Sequence, residues 1–68
     1  MSKIFGERLR ELRKEKNLSI VELAKDLNVG KSIISYWERG ENEPSLSSLI
    51  AISQFFGVSI EYLAGLED

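Results

Sequence analysis

A chain of 68 residues with a formal net charge of −2 lies near the lower size limit for a self-supporting core, so a single domain spanning 1–68 is expected. It has no cysteine and no histidine, which excludes disulfides, thiolate zinc sites and the usual nucleophile–base pairs, and leaves no expectation of an enzyme, a metal or a cofactor. No apolar run approaches the roughly 20 residues that span a bilayer, and the N-terminus lacks the apolar stretch of a signal peptide, so a cytoplasmic protein is expected.

The periodicity is helical throughout, with no alternating strand segment; an all-α, compact five-helix bundle follows. Helix 1 is expected from about Ile4 to Lys16, with Phe5, Leu9 and Leu12 on one face. Asn17 ends it, and Leu18 turns into the core. Ser19, with Glu22 three residues on, forms a capping-box pattern that opens helix 2, which runs to about Leu27. Asn28 falls where the turn needs a left-handed residue. Gly30 opens helix 3, running from Lys31 to about Arg39, and Gly40 stops it. After the loop Gly40–Pro44, Ser45 caps helix 4, whose Leu46, Leu49, Ile52 and Phe56 follow the 3.6-residue period. Gly57 ends that helix, Ser59 caps a short helix 5 carrying Ile60 and Leu63, and Gly65 closes the bundle.

Charge is spread unevenly along these elements. Residues 1–40 hold all nine basic side chains and six acidic ones, whereas residues 41–68 hold five acids and no base. The chain is electrostatically two-ended, and its positive end contains residues 19–40. There Leu23, Ala24, Leu27, Val29, Ile34 and Trp37 are spaced so that one helix crosses another and leaves one face of the second free. A helix presented in this way fits the major groove of B-DNA.

The run from Leu18 to Gly40, followed by NEPSLSSL and FFGVSIEYL, resembles the lambda-repressor/Cro-like (XRE-type) helix-turn-helix family over about residues 5–64. Leu23–Ala24, Val29, Ile34–Ser35, Glu38–Arg39–Gly40, Pro44–Ser45 and Gly57–Val58–Ser59 carry the resemblance. It implies a sequence-specific DNA-binding transcription regulator, most often a repressor, acting as a homodimer on an inverted-repeat operator. The base-reading face it implies comprises Lys31, Ser32, Ile33, Ser35 and Tyr36. Lys31 can donate to guanine or to a phosphate, and Ile33 can pack on a thymine methyl. Ser19, Ile20, Arg39 and Asn42 are candidate phosphate contacts, Ile20 through the backbone N–H groups that open helix 2.

By the same resemblance, Arg13 and Glu38 are expected to form a partly buried structural ion pair, and Trp37 belongs to the core. Ile50 and Phe55 are candidate dimer contacts; the competing reading is that the bundle itself covers them. Three departures weaken the backbone grip. Ile20 stands where family members often have Gln, Gly30 where they often have Ser, and Glu41 and Glu43 in a loop that is frequently basic. The alternative function is a protein-interaction module, antitoxin-like, using the acidic residues 41–68 and Phe55. The ending EYLAGLED resembles a junction at which family members continue, so a longer regulator is also expected as an option.

Overall fold

The computed structural model describes residues 2–67. It contains five helices: α1 (Ser2–Glu15), α2 (Ile20–Leu27), α3 (Lys31–Glu38), α4 (Leu46–Phe56) and α5 (Ile60–Ala64). Among the described residues no helix is long and apolar enough to cross a membrane. The termini of the helices follow from local chemistry. Asn17 and Asn28, with φ of 57° and 59°, take the left-handed turns after α1 and α2. Asn tolerates that region better than other side-chain-bearing residues because its short amide bonds locally. Ser19, Ser45 and Ser59 each accept a backbone N–H from the third residue of the helix they open.

One contiguous core joins all five helices: Phe5, Leu9, Leu23, Ala24, Ile34, Trp37, Leu49, Ile52 and Leu63. Phe5, Leu9, Leu23, Ile34, Ile52 and Leu63 are completely buried. Each such side chain contributes about 1.5–3 kcal/mol relative to exposure. Phe5 meets Trp37 edge-on, with ring centroids 6.0 Å apart and planes at 77°, an arrangement favoured by the aromatic quadrupole. Ala24 is part of this core, and Leu12, Leu18, Leu27 and Val29 pack around its rim.

Several helix boundaries differ from the sequence expectation. Helix α1 begins at Ser2, before Ile4, and ends at Glu15; α3 ends at Glu38, with Arg39 as its C-cap. Leu46 shares the helical period of Leu49 and Ile52 yet is 69% exposed. It stands in the first turn of α4 and belongs neither to the core nor to the partly buried residues packed against it. Phe56 is only half-buried.

Candidate nucleic-acid interface

The placement of α3 begins with two residues. Ile34 is fully buried and Trp37 nearly so, and they lie three positions apart, almost one helical turn. With that stripe turned inward, Lys31, Ser32, Ile33 and Tyr36 are left exposed on the opposite side, and Ser35 is half-buried at its edge. Ile33 and Tyr36 are 37% and 40% exposed. An apolar residue and an aromatic ring thus stand on the surface although a fully apolar core lies directly behind them.

A groove runs between this face and the first turn of α2. Ile20, Val21, Lys31, Ser32, Ser35, Tyr36 and Arg39 line it. The capping box occupies two donors at its α2 end. Ser19 N–H donates to Glu22 Oε1 at 2.8 Å, and Glu22 N–H donates to Ser19 Oγ at 3.0 Å. The amides of Ile20 and Val21, in the first turn of α2, have no acceptor within their own helix and point out of its end. Ile20 itself is partly buried, its side chain packed against the core. Asn42 is exposed in the loop after α3.

The groove continues toward α1, where Arg10, Arg13, Ile20, Ser35, Glu38 and Arg39 meet. Arg13 and Glu38 are engaged with each other: Arg13 Nε donates to Glu38 Oε2 at 2.6 Å and Nη2 to Oε1 at 3.0 Å. Their side chains are 11% and 7% exposed. Hydrogen bonding to Glu38 raises the Arg13 pKa above its ordinary value despite burial. Both partners are thus engaged within the fold. Arg39 is exposed, stacks over the Tyr36 ring with its guanidinium carbon 5.1 Å from the centroid, and pairs with Glu41.

Two groove residues escape the sequence expectation. Val21 is 59% exposed beside Lys31 and Tyr36. Its signal was present: Leu23, Ala24 and Leu27 face inward, which turns position 21 outward, and a β-branched apolar residue there is unexpected. Arg10 lies one turn before Arg13 on α1, and among the described residues neither it nor Lys31 joins an ion pair. The candidate dimer contacts separate. Ile50 is 41% exposed. Phe55 is half-covered by its own bundle, edge-on to Phe56 at 4.9 Å with Lys16 Nζ 5.9 Å from its ring centre.

The groove combines apolar contact surface, hydroxyls, unpaired helix-end amides and a few cations. That set suits a ligand with methyl groups, hydrogen-bonding edges and phosphates. Among the described residues no group of three or more His, Cys, Asp or Glu side chains could hold a metal.

A family model described as Helix-turn-helix matches residues 9–63. The chain is 44% identical over 64 residues to the HTH-type transcriptional activator BcrR of Enterococcus faecalis, covering 94% of this chain and 31% of that protein. SinR, a master regulator for biofilm formation whose structure was solved in complex with DNA, superposes with a TM-score of 0.80 at 38% identity. That superposition covers 88% of this chain and 97% of the SinR chain. The restriction-modification controller protein C.AhdI from Aeromonas hydrophila superposes with a TM-score of 0.78 at 33% identity, over 88% of this chain and 91% of that one. The chain spans 31% to 58% of the length of the first curated relatives it matches.

Proposed function

The chain belongs to this helix-turn-helix family, and from that premise we propose that it reads double-stranded DNA as the sequence-specific domain of a transcription regulator. The observation that carries the reading is the outward face of α3. Lys31, Ser32, Ile33 and Tyr36 stand exposed there because Ile34 and Trp37 anchor the opposite side. In this reading α3 enters the major groove, and the first turn of α2 meets a phosphate with the amides of Ile20 and Val21. Lys31 donates to a guanine edge or a phosphate, Ile33 packs on a thymine methyl, and the hydroxyls of Ser19, Ser32 and Ser35 serve backbone or base-edge acceptors. Arg39, at the end of the groove, and Asn42, in the loop after α3, contact the backbone. The relatives are named as regulators and repressors, and no enzymatic role is proposed.

A homodimer on an inverted repeat is the second part of the reading. Leu46 and Ile50, four residues apart on α4 and 69% and 41% exposed, offer a self-complementary apolar contact; Phe55 contributes less, being packed on its own core. Two subunits would then read half-sites centred about 10 base pairs apart.

Selection from a random duplex library, with sedimentation of the protein alone and on the enriched site, tests both parts. Enrichment of an inverted repeat with a two-to-one complex supports them. Enrichment of a single half-site retains DNA reading and removes the dimer. No enrichment at low salt leaves the interaction-module reading, in which the acidic residues 41–68 meet a protein partner.

A further inference from the structure

The cation at the far end of the groove is not free. Arg39 Nε donates to Glu41 Oε2 at 3.0 Å and Nη2 to Oε1 at 3.3 Å, so a carboxylate occupies the Nε–Nη2 edge of the guanidinium. The same guanidinium lies over Tyr36, itself on the outward face of α3. Residues two apart on a helix do not face each other, and the backbone explains why these two meet. Gly40 takes φ of 73°, its N–H donates to Trp37 O at 3.1 Å, and Glu41 N–H donates to Tyr36 O at 2.9 Å. Those two bonds close a Schellman cap on α3. The cap reverses the chain and sets residue 41 back beside residue 39. Both side chains remain a little over half exposed.

We infer that Glu41 occupies the anion site of Arg39 in the free domain, on the Nε–Nη2 edge where a DNA phosphate would stand, so that a phosphate taking that edge must displace a carboxylate the fold has placed there. The inference rests on the DNA-reading function proposed above and adds to it a residue that sets affinity without reading sequence. A carboxylate and a phosphate compete for one fork because both present two coplanar oxygens to paired N–H donors. An exposed pair of this kind is weak, so the competition lowers affinity and does not abolish it. Raised Arg39 and lowered Glu41 pKa values, each caused first by their mutual hydrogen bonds, agree with the geometry.

The test is a double-mutant cycle of Glu41→Gln and Arg39→Ala, read by fluorescence anisotropy on a random-sequence 20-base-pair duplex between 50 and 200 mM potassium chloride. Glu41→Gln is expected to tighten binding at 50 mM by about two- to fivefold. The slope of log affinity against log salt should steepen by up to about 0.9, as for one added phosphate contact. In the Arg39→Ala background the gain should vanish. A gain of the same size without Arg39 would reflect general charge and overturn the inference, as would no gain at all. Failure of both the parent and Glu41→Gln to bind the duplex at 50 mM would overturn the DNA-reading function and this inference together. Thermal melting of each variant guards against unfolding.

Discussion

Arg13, on α1, holds Glu38 at the last residue of α3 through two parallel hydrogen bonds of 2.6 and 3.0 Å. Its remaining terminal nitrogen donates to Leu18 O at 2.8 Å, tying the α1–α2 turn into the same cluster. One guanidinium thus fixes the C-terminal end of α3 against two other segments, and with it the angle at which Lys31 to Tyr36 are presented. Since both side chains are about nine-tenths buried, removal of one partner strands the other in a poorly hydrated place. Arg13→Ala is expected to cost about 3 kcal/mol, the lower part of the range for breaking a buried pair, because the cluster sits at the core's edge. Against a total stability of roughly 3–10 kcal/mol for a chain of this size, that loss is severe. Glu38→Gln keeps an acceptor and should cost less. Urea unfolding measures both; a loss below about 0.5 kcal/mol for Arg13→Ala would mark the pair as an ordinary surface one.

Gly6 gives a prediction whose sign depends on tertiary contact. Glycine inside a helix is ordinarily worse than alanine by up to about 1 kcal/mol, so Gly6→Ala looks stabilising from propensity alone. A Cβ at this position would stand 2.2 Å from Trp37 O and 2.9 Å from Glu38 O. Those atoms are backbone at the end of α3 and have no rotamer to adopt. The helices must separate, at a cost of about 3 kcal/mol or more, which outweighs the propensity gain. Thermal melting of Gly6→Ala should show a fall in midpoint, and a rise would mean that α1 and α3 are not this close.

The elements and the core were legible because they are set locally. Ser19 and Glu22, the two left-handed asparagines and the period of Leu23, Ala24, Ile34 and Trp37 each declare themselves within a few residues. The exposure of Leu46 was not legible, because periodicity states which residues share a face, not how deeply each is covered. The outward turn of Val21 was legible from Leu23, Ala24 and Leu27, but its place in a groove was not, because that depends on the packing of α2 against α3. The Arg39–Glu41 pair was illegible for a different reason. Its geometry depends on the Schellman cap at Gly40, which brings together side chains that spacing alone would set apart.

Ile33 and Ile34 are neighbours of one residue type with opposite duties. Ile34 is completely buried and Ile33 is 37% exposed. Ile34→Ala should cost about 2–5 kcal/mol by leaving a cavity under α3. Ile33→Ala should change stability by no more than about 0.5 kcal/mol. On DNA the order should reverse: with Ile33 packed on a base as proposed above, Ile33→Ala is expected to weaken the selected site relative to random duplex, whereas Lys31→Ala weakens both if its partner is a phosphate. Paired melting and anisotropy on the two variants decide this. Equal destabilisation by both would mean that Ile33 is part of the core and not of a reading face.

The capping box at α2 makes stability depend on pH in a defined direction. The Glu22 carboxylate accepts from Ser19 N–H, and that backbone hydrogen bond, followed by the one to the Ser19 side chain, holds its pKa below the ordinary value of 4.5. A carboxyl with a lower pKa in the folded state releases its proton more readily there than in the unfolded chain. Its contribution to stability is therefore complete above the unfolded value and disappears as pH falls through the lowered folded one. Glu22→Gln preserves an acceptor for Ser19 N–H but carries no titratable proton. The stability difference between parent and Glu22→Gln should be constant from neutral pH to about pH 5. Below that it should move steadily in favour of Glu22→Gln as the parent loses its charged cap. Glu41 also titrates low, through Arg39, but it is present in both proteins and cancels in the comparison. Urea unfolding at closely spaced pH values provides the measurement. Superimposable acid limbs would show that the carboxylate does not cap the N-terminus of α2 in solution, and would free Ser19 N–H as a further phosphate donor.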